Sequence, residues 1–396
     1  MMNGQLSNLS LGLHSLCVFR ALLSDSVISK LVRYLDCAEK EDTREKINAY
    51  SDFVSALFEA KYSDLGSYIR SVVNNNENAY VRCIGRGKPV SSALKGSVEA
   101  ELKILQAAAD LTPEELTDTI GWNGYLPRFE AVKTDLFGDY SHRTANISKY
   151  GYGIYAQYHM FRINSENKIV PVLNPDETQL SELVNYKREQ QIIVDNTKAL
   201  LDGRPAANIL LTGDAGTGKS STIKAVVNEL YRDGLRIIEV RKEQLHEIPA
   251  ILDELSENPL KFILFIDDLS FQKDDDNFSA LKAVLEGSVS AKSRNVVIYA
   301  TSNRRHLVKE KFSDREGDDV HFNDTMQEIV SLSERFGIQI TFSRPDKKTY
   351  LDIVRHLAES KGVEYGEQLE IEAERFALTR GTRSARAAKQ FVDSLV

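Results

Sequence analysis

The 396-residue chain holds three cysteines, Cys17, Cys37 and Cys83, an odd number with no C-x-x-C pair. That usage excludes a disulfide framework and a cysteine zinc site, and makes a reducing compartment the default. Long hydrophobic runs are missing as well. The most apolar stretch near the start, Leu9 to Leu23, is interrupted by His14 and Arg20. It falls short of the ~20 residues that a bilayer crossing needs, and no basic region or small-residue cleavage site frames it. It reads as a buried or interface helix, so no membrane association is expected and the cytoplasm is the expected location. Positive charge is not in excess: 50 Lys and Arg stand against 58 Asp and Glu, a net of −8. This argues against a generic DNA-coating or anionic-membrane protein, so nucleic acid is not indicated by charge, although a local basic patch stays open. Repeats and low-complexity tracts are absent too. What is there, 42% hydrophobic and 27% charged residues, is the balance of a folded soluble protein. At ~100–200 residues per domain the length predicts two or three domains.

Four textures follow one another along the chain. From about Leu9 to Phe137 prolines are few and apolar residues recur at threes and fours, as in VISKLVRYLDCAEK and SDFVSALFEAKYSDL, the period of amphipathic helices. The segment LTPEELTDTIGW carries a helix start, with Thr112 as cap, Pro113 at the first position and Glu114 and Glu115 in the first turn. Residues 1–140 are therefore expected to form a mainly helical N-terminal domain. Over 141–175 the stretch KYGYGIYAQYHMFRI, a polar NSEN turn and KIVPVL predict an aromatic β-hairpin or linker. Its tyrosines read as packing residues rather than a base-stacking platform, because their surroundings are not basic. Over 176–343, a helical run, SELVNYKREQQIIVDNTKALLDG, is followed by the apolar strands NILLTG, RIIEV, KFILFID and NVVIYATSN, alternating with amphipathic helices. That alternation predicts an α/β fold, a parallel sheet with helices on both faces. Residues 344–396 return to helix and end on the basic-faced RGTRSARAAKQFVDSL.

The strongest chemical signal is GDAGTGKSS: Gly213, Asp214, Ala215, Gly216, Thr217, Gly218, Lys219, Ser220 and Ser221. It fits G-x-x-x-x-G-K-[ST] in full, after an apolar strand and at the opening of a helix, the context of a P-loop. The glycines let the backbone bend so that its N–H groups turn toward phosphate oxygens, and the helix N-terminus adds its dipole. Lys219 is expected at the β/γ-phosphates of ATP, Ser220 on Mg²⁺ and Ser221 at the α-phosphate. The strand KFILFID ends in Asp267 and Asp268, at the carboxyl edge where parallel sheets bind ligands. Alone, two aspartates there would read as a solvated strand end. Downstream of a complete P-loop, Asp267 is expected to hold the Mg²⁺ water shell and Asp268 to act as general base. The strand NVVIYATSN ends in Thr301, Ser302 and Asn303. Asn303 can orient the lytic water or sense the γ-phosphate, although strands often end in such residues for turn reasons.

These motifs resemble the AAA+ superfamily of P-loop ATPases, from roughly Asp176 to the C-terminus: Walker A, Walker B, a sensor-1-like Asn303, the SERFG segment and a helical lid. Within it, DNTKALLDGRPAANILLTGDAGTGKSS, ILFIDDLSF, YATSNRRHL and the upstream KYGYGIYAQYHMF resemble a family of uncharacterised bacterial ATP-binding proteins known as a domain of unknown function. The resemblance implies a P-loop core with a C-terminal helical lid, ATP and Mg²⁺ as cofactors, and a homo-oligomer. It implies that Arg335 in SERFG acts in trans on a neighbour's γ-phosphate; the alternative is a surface arginine before a strand. It also implies that Arg386 is the sensor-2 arginine, with Arg383 as rival, and that Arg304 and Arg305 face phosphate or partner. By analogy of fold, adenine is expected near Tyr186 and the loop before Asn208.

Two departures shape the functional expectation. Asp268 stands where AAA+ enzymes usually carry glutamate, and the link RKEQLHEI after RIIEV lacks the aromatic-glycine pore loop of threading unfoldases. The reading is an ATPase that turns Mg-ATP into ADP and phosphate and drives conformational change on a macromolecular client held by the N-terminal domain. The alternative is a slow or non-hydrolysing nucleotide switch or assembly module, which the short Asp268 favours. A P-loop kinase is disfavoured, because the C-terminal helices fit a lid rather than an acceptor site. A DNA-linked loader is a variant that the net charge of −8 counts against.

Overall fold

The computed structural model describes residues 2–37, 40–269, 276–286, 294–303 and 333–396. Two compact units divide the chain between Gln157 and Tyr158. Among the described residues no helix is long and apolar enough to cross a membrane.

The first unit is helical, as the period of its apolar residues predicts. In the helix Ile28–Cys37 the buried positions Ile28, Leu31, Val32 and Leu35 follow the i, i+3, i+4, i+7 stripe. They share a core with Tyr50, Phe53 and Leu57 of the helix Thr43–Glu59 and with Leu102 and Leu105 of Ser92–Ala109. Burying each such side chain contributes about 1.5–3 kcal/mol. Thr112 caps the helix as expected and forms a capping box with Glu115, but the helix it opens is short, Pro113–Thr117. The apolar stretch Leu9 to Leu23 departs from expectation: its helix ends at His14. The buried carboxylate of Glu101, 82 to 84 residues away, accepts hydrogen bonds from the backbone N–H groups of Cys17, Val18 and Phe19. Arg20 in turn donates to the carbonyl of His14 at 2.7 Å. These polar ties make a turn, and a 3-10 segment follows at Arg20–Ser24.

Among the described residues the second unit has seven strands: β1 (Met160–Ile163), β2 (Ile169–Pro171), β3 (Ile209–Gly213), β4 (Leu235–Glu239), β5 (Lys261–Ile266), β6 (Val296–Ser302) and β7 (Ile338–Phe342). Their order is β2-β1-β4-β5-β6-β3-β7, parallel throughout except for the β1–β2 hairpin. Ile209, Leu211, Ile263, Phe265 and Tyr299 pack with Ile193, Ile223 and Val226 from the helices Lys187–Leu201 and Lys219–Leu230. The intervening Leu210, Leu264 and Ile298 are buried as well, so both faces of the sheet are covered. A three-helix lid follows, Lys347–Ser360, Glu367–Thr379 and Ala385–Asp393, around Tyr350, Val354, Ala373 and Ala388.

The aromatic hairpin expected over 141–175 is narrower than its tyrosines suggest. Ile147–Tyr150 and Ile154–Gln157 are single helical turns, separated by Gly151 and Gly153 at φ +65° and +61°. Left-handed glycines interrupt an extended strand, so pairing starts only at Met160. The NSEN turn is present, closed by Asn164 Oδ1 accepting from the N–H groups of Glu166 and Lys168, both at 2.9 Å. The hairpin joins the main sheet through β1 against β4 rather than standing apart from it.

Candidate functional site

Three glycines shape the loop after β3. Gly213, Gly216 and Gly218 have φ of +138°, +79° and +97°, outside the range that L side chains adopt at low cost. A Cβ at Gly213 would lie 2.1 Å from the carbonyl oxygen of Phe342, while one at Gly203, φ +71°, would meet open space. Gly203→Ala is therefore expected to cost about 1–2 kcal/mol of backbone strain alone, and Gly213→Ala more than about 3 kcal/mol because strain and clash add. Chemical denaturation of the two variants checks this, and equal losses would mean that the strand end relaxes freely. The helix Lys219–Leu230 starts directly at the loop, with Gly218 as its cap, so its first N–H groups are left to serve an anion.

Lys219 lies back across the loop. Its Nζ donates to the carbonyls of Gly213 and Asp214, both at 2.8 Å, and to Asn303 Oδ1 at 3.0 Å. Burial pulls its pKa below the ordinary lysine value; Asp267, Asp214 and Asp268 oppose that pull, and Arg386 adds to it. Asp267 emerges from β5 and accepts three hydrogen bonds on Oδ1: from Ser220 Oγ at 2.6 Å, Thr301 Oγ1 at 2.6 Å and the Asp268 N–H at 3.2 Å. Asp268 follows at φ +52°, and its Oδ1 accepts from Asn303 Nδ2 at 2.7 Å. Asn303 thus bridges Lys219 and Asp268, one through each end of its amide. The sequence offered Thr301 no role of its own. Its signal was the two-residue spacing to Asn303, which sets both on one side of the β6 run.

The lid meets the loop at one turn. Arg386 N–H donates to the carbonyl of Gly216 at 3.3 Å, and a Cβ at Gly216 would stand 3.2 Å from Arg386 Cβ. The rival Arg383 is instead engaged with Glu374 through two hydrogen bonds of 3.0 Å within the lid. Ser221 lies in the first turn of the P-loop helix, and Thr217 donates to the carbonyl of Asp214 at 2.9 Å.

Two expected neighbourhoods separate. Tyr186, at φ +65°, sets its ring 4.8 Å from Phe342 and donates its hydroxyl to the carbonyl of Ser343, so it lies at the P-loop end of the sheet. Burial pushes the Tyr186 hydroxyl up to about 12, with Glu189 and Asp214 adding to the shift. The loop before Asn208 is at the other end, where Arg204 to Asn208 line a cavity of about 800 Å³. At ~3.3 Å per residue, β3 puts about 13 Å between Ile209 and Gly213, so adenine beside Tyr186 cannot also touch that loop. Exposed Arg335 lines the same cavity, because β7 runs parallel to β3 with Ile338 opposite Ile209. It is not brought together with the P-loop of its own chain. Arg304 and Arg305 lie outside the described residues.

The site thus has a complete P-loop, two aspartates and a polar strand end on the carboxyl edge of one parallel sheet, the edge where such sheets bind ligands. Among solved structures the chain is similar to the Thermotoga maritima RuvB Holliday junction branch migration motor, at 16% identity over 54% of this chain and 63% of that one, with a TM-score of 0.35. It is also similar to the Aeropyrum pernix ORC1 protein in complex with DNA, at 14% identity over 55% and 63%, with a TM-score of 0.38. The chain therefore spans less than two thirds of either structure. No curated protein matches it in sequence. A family described as "Protein of unknown function (DUF815)" matches residues 156–396. That match takes in the whole seven-stranded sheet, the glycine loop after β3 and the C-terminal helices, and by it the chain belongs to the DUF815 family.

Proposed function

We propose that the second unit binds ATP with Mg²⁺ and hydrolyses it to ADP and phosphate. The observation that carries this reading is the hydrogen-bonded chain Lys219–Asn303–Asp268, which shares the sheet edge with the Ser220–Asp267 pair. The Lys219 ammonium donates to two loop carbonyls, bonds that phosphate oxygens would replace with charge-assisted ones. Ser220 commits its proton to Asp267 and keeps its oxygen lone pairs for the cation; hard oxygen donors of this kind suit Mg²⁺. Bound Mg²⁺ supplies charge neutralisation at the β/γ oxygens. Asp268 takes the proton of the attacking water, and Asn303 aims its carboxylate. Arg386 reaches the phosphates from the lid, and Arg335, remote from its own P-loop, completes a neighbour's site in a homo-oligomer. The helical unit holds the client; Trp122 and Tyr125, 51% and 88% exposed, are the surface aromatics that favour this role.

A second reading, a slow or non-hydrolysing nucleotide switch, is favoured by one observation: Asn303 occupies an oxygen of the already short Asp268. The specific rate of Mg-ATP hydrolysis against protein concentration separates the two. A rate per molecule that rises with concentration is expected for shared sites; a flat, near-zero rate with tight binding on the same sample selects the switch. Action in trans makes a further prediction. Arg335→Ala and Lys219→Ala are each expected to be inactive alone, whereas a 1:1 random mixture regains about a quarter of the sites, those pairing an intact P-loop with an intact arginine. No recovery in demonstrably mixed oligomers would remove Arg335 from the mechanism.

A further inference from the structure

We propose that Thr301 is the positioning residue that sets both site aspartates at once, an inference that rests on the Mg-ATP reading above. Thr301 is 2% exposed on β6, opposite Leu211 of β3. A hydroxyl both donates and accepts, and Thr301 uses both capacities on the two aspartates. It donates to Asp267 Oδ1 at 2.6 Å and accepts from the N–H of Asp268 at 2.9 Å. Its main-chain carbonyl also accepts from Leu269 N–H at 2.7 Å. One residue thereby grips the chain across three consecutive positions where it leaves β5.

Two consequences follow for the chemistry. A carboxylate turns about its last torsion with little resistance. Three donors gathered on Oδ1 stop that rotation and leave Oδ2, which has no hydrogen bond among the described residues, as the oxygen turned to the cation's water shell. Asp268 sits at φ +52°, a conformation that costs a non-glycine residue energy and persists only when its surroundings enforce it. The Thr301 hydroxyl and carbonyl enforce it, and so direct the Asp268 side chain to Asn303. Thr301 itself is buried, so water does not reach its hydroxyl to replace either aspartate contact.

The test uses the full chain and two pairs of variants that differ only in the hydroxyl: Thr301→Val against the unaltered protein, and Thr301→Ala against Thr301→Ser. Binding of a fluorescent ATP analogue is titrated in EDTA and over a range of Mg²⁺, and Mg-ATP turnover is measured in parallel. Affinity in EDTA is expected to stay within about threefold, whereas the gain in affinity on adding Mg²⁺ falls about tenfold or more in Val and Ala, the scale of losses seen when groups that orient metal ligands are removed. Turnover falls with them through kcat rather than KM, and Ser keeps both quantities near normal. Should Val not fold, the Ser–Ala pair alone decides. Full Mg²⁺ enhancement in Val or Ala would overturn the role, and so would a Ser variant as damaged as Ala, because packing alone would then explain the residue. An unaltered protein that gains no affinity from Mg²⁺ would overturn the Mg-ATP reading itself, and Thr301 with it.

Discussion

Lys219→Ala is expected to abolish tight ATP binding, with a loss of at least about a hundredfold, because each charge-assisted hydrogen bond that the ammonium would give to phosphate in place of the Gly213 and Asp214 carbonyls is worth ~1.5–3 kcal/mol. The fold survives the change. The carbonyls of Gly213 and Asp214 and the Asn303 amide are left at the edge of the sheet, where water can replace the ammonium. Nucleotide titration of the variant, with circular dichroism as a control, reads the result; unchanged affinity in a folded variant would end the P-loop assignment. The same side chain predicts a pH effect. Burial depresses its pKa from 10.5, so the charged form is lost at a lower pH than for an exposed lysine. ATP affinity is accordingly expected to fall early on the alkaline side. Stability moves the other way: between the depressed value and 10.5 the unfolded chain binds more protons, so folding gains as pH rises through that window.

Asp268→Asn is expected to leave ATP affinity within about threefold and to lower turnover by about 10²–10⁴, the range assigned to a general base. The substitution is close to isosteric, and asparagine tolerates φ +52° better than most residues. The N–H that Thr301 accepts and the oxygen that Asn303 donates to are both retained. What disappears is the capacity to take a proton. Single-turnover measurement separates the chemical step from binding and release. Undiminished turnover would remove Asp268 from the base position and pass the search to Asn303 and a water chain.

The second unit's fold was open to reading because its signals are local. A buried strand, a glycine turn and a helix start occupy adjacent residues from Ile209 to Ser221, so their spacing alone announces the strand–loop–helix unit seen there. Asp267 and Asp268 were legible for a similar reason: five apolar residues declare a strand, and whatever follows emerges at its end. The Thr112 cap read correctly because a helix start is announced within four residues, by the cap, Pro113 and the glutamates of the first turn.

Other features depend on partners far along the chain. Nothing between Leu9 and Leu23 says that the helix stops at His14, because the carboxylate that satisfies the turn belongs to Glu101. Arg383 and Arg386 are equivalent by spacing; only the packing of the lid's own helices gives one to Glu374, and only its docking on the loop brings the other against Gly216. The loop before Asn208 and Tyr186 seemed one neighbourhood in the chain, yet the length of β3 holds them at opposite ends. Thr301 carried no motif, and only the pairing of β5 beside β6 delivers its hydroxyl to both aspartates. The sequence by itself therefore determined the glycine loop, the acidic strand end and the parallel sheet, because each is encoded by short local patterns of strand, turn and helix. The tertiary structure alone decided which side chains meet across strands and lid, since hydrogen bonds act over about 3 Å while their partners stand tens of residues apart in the chain.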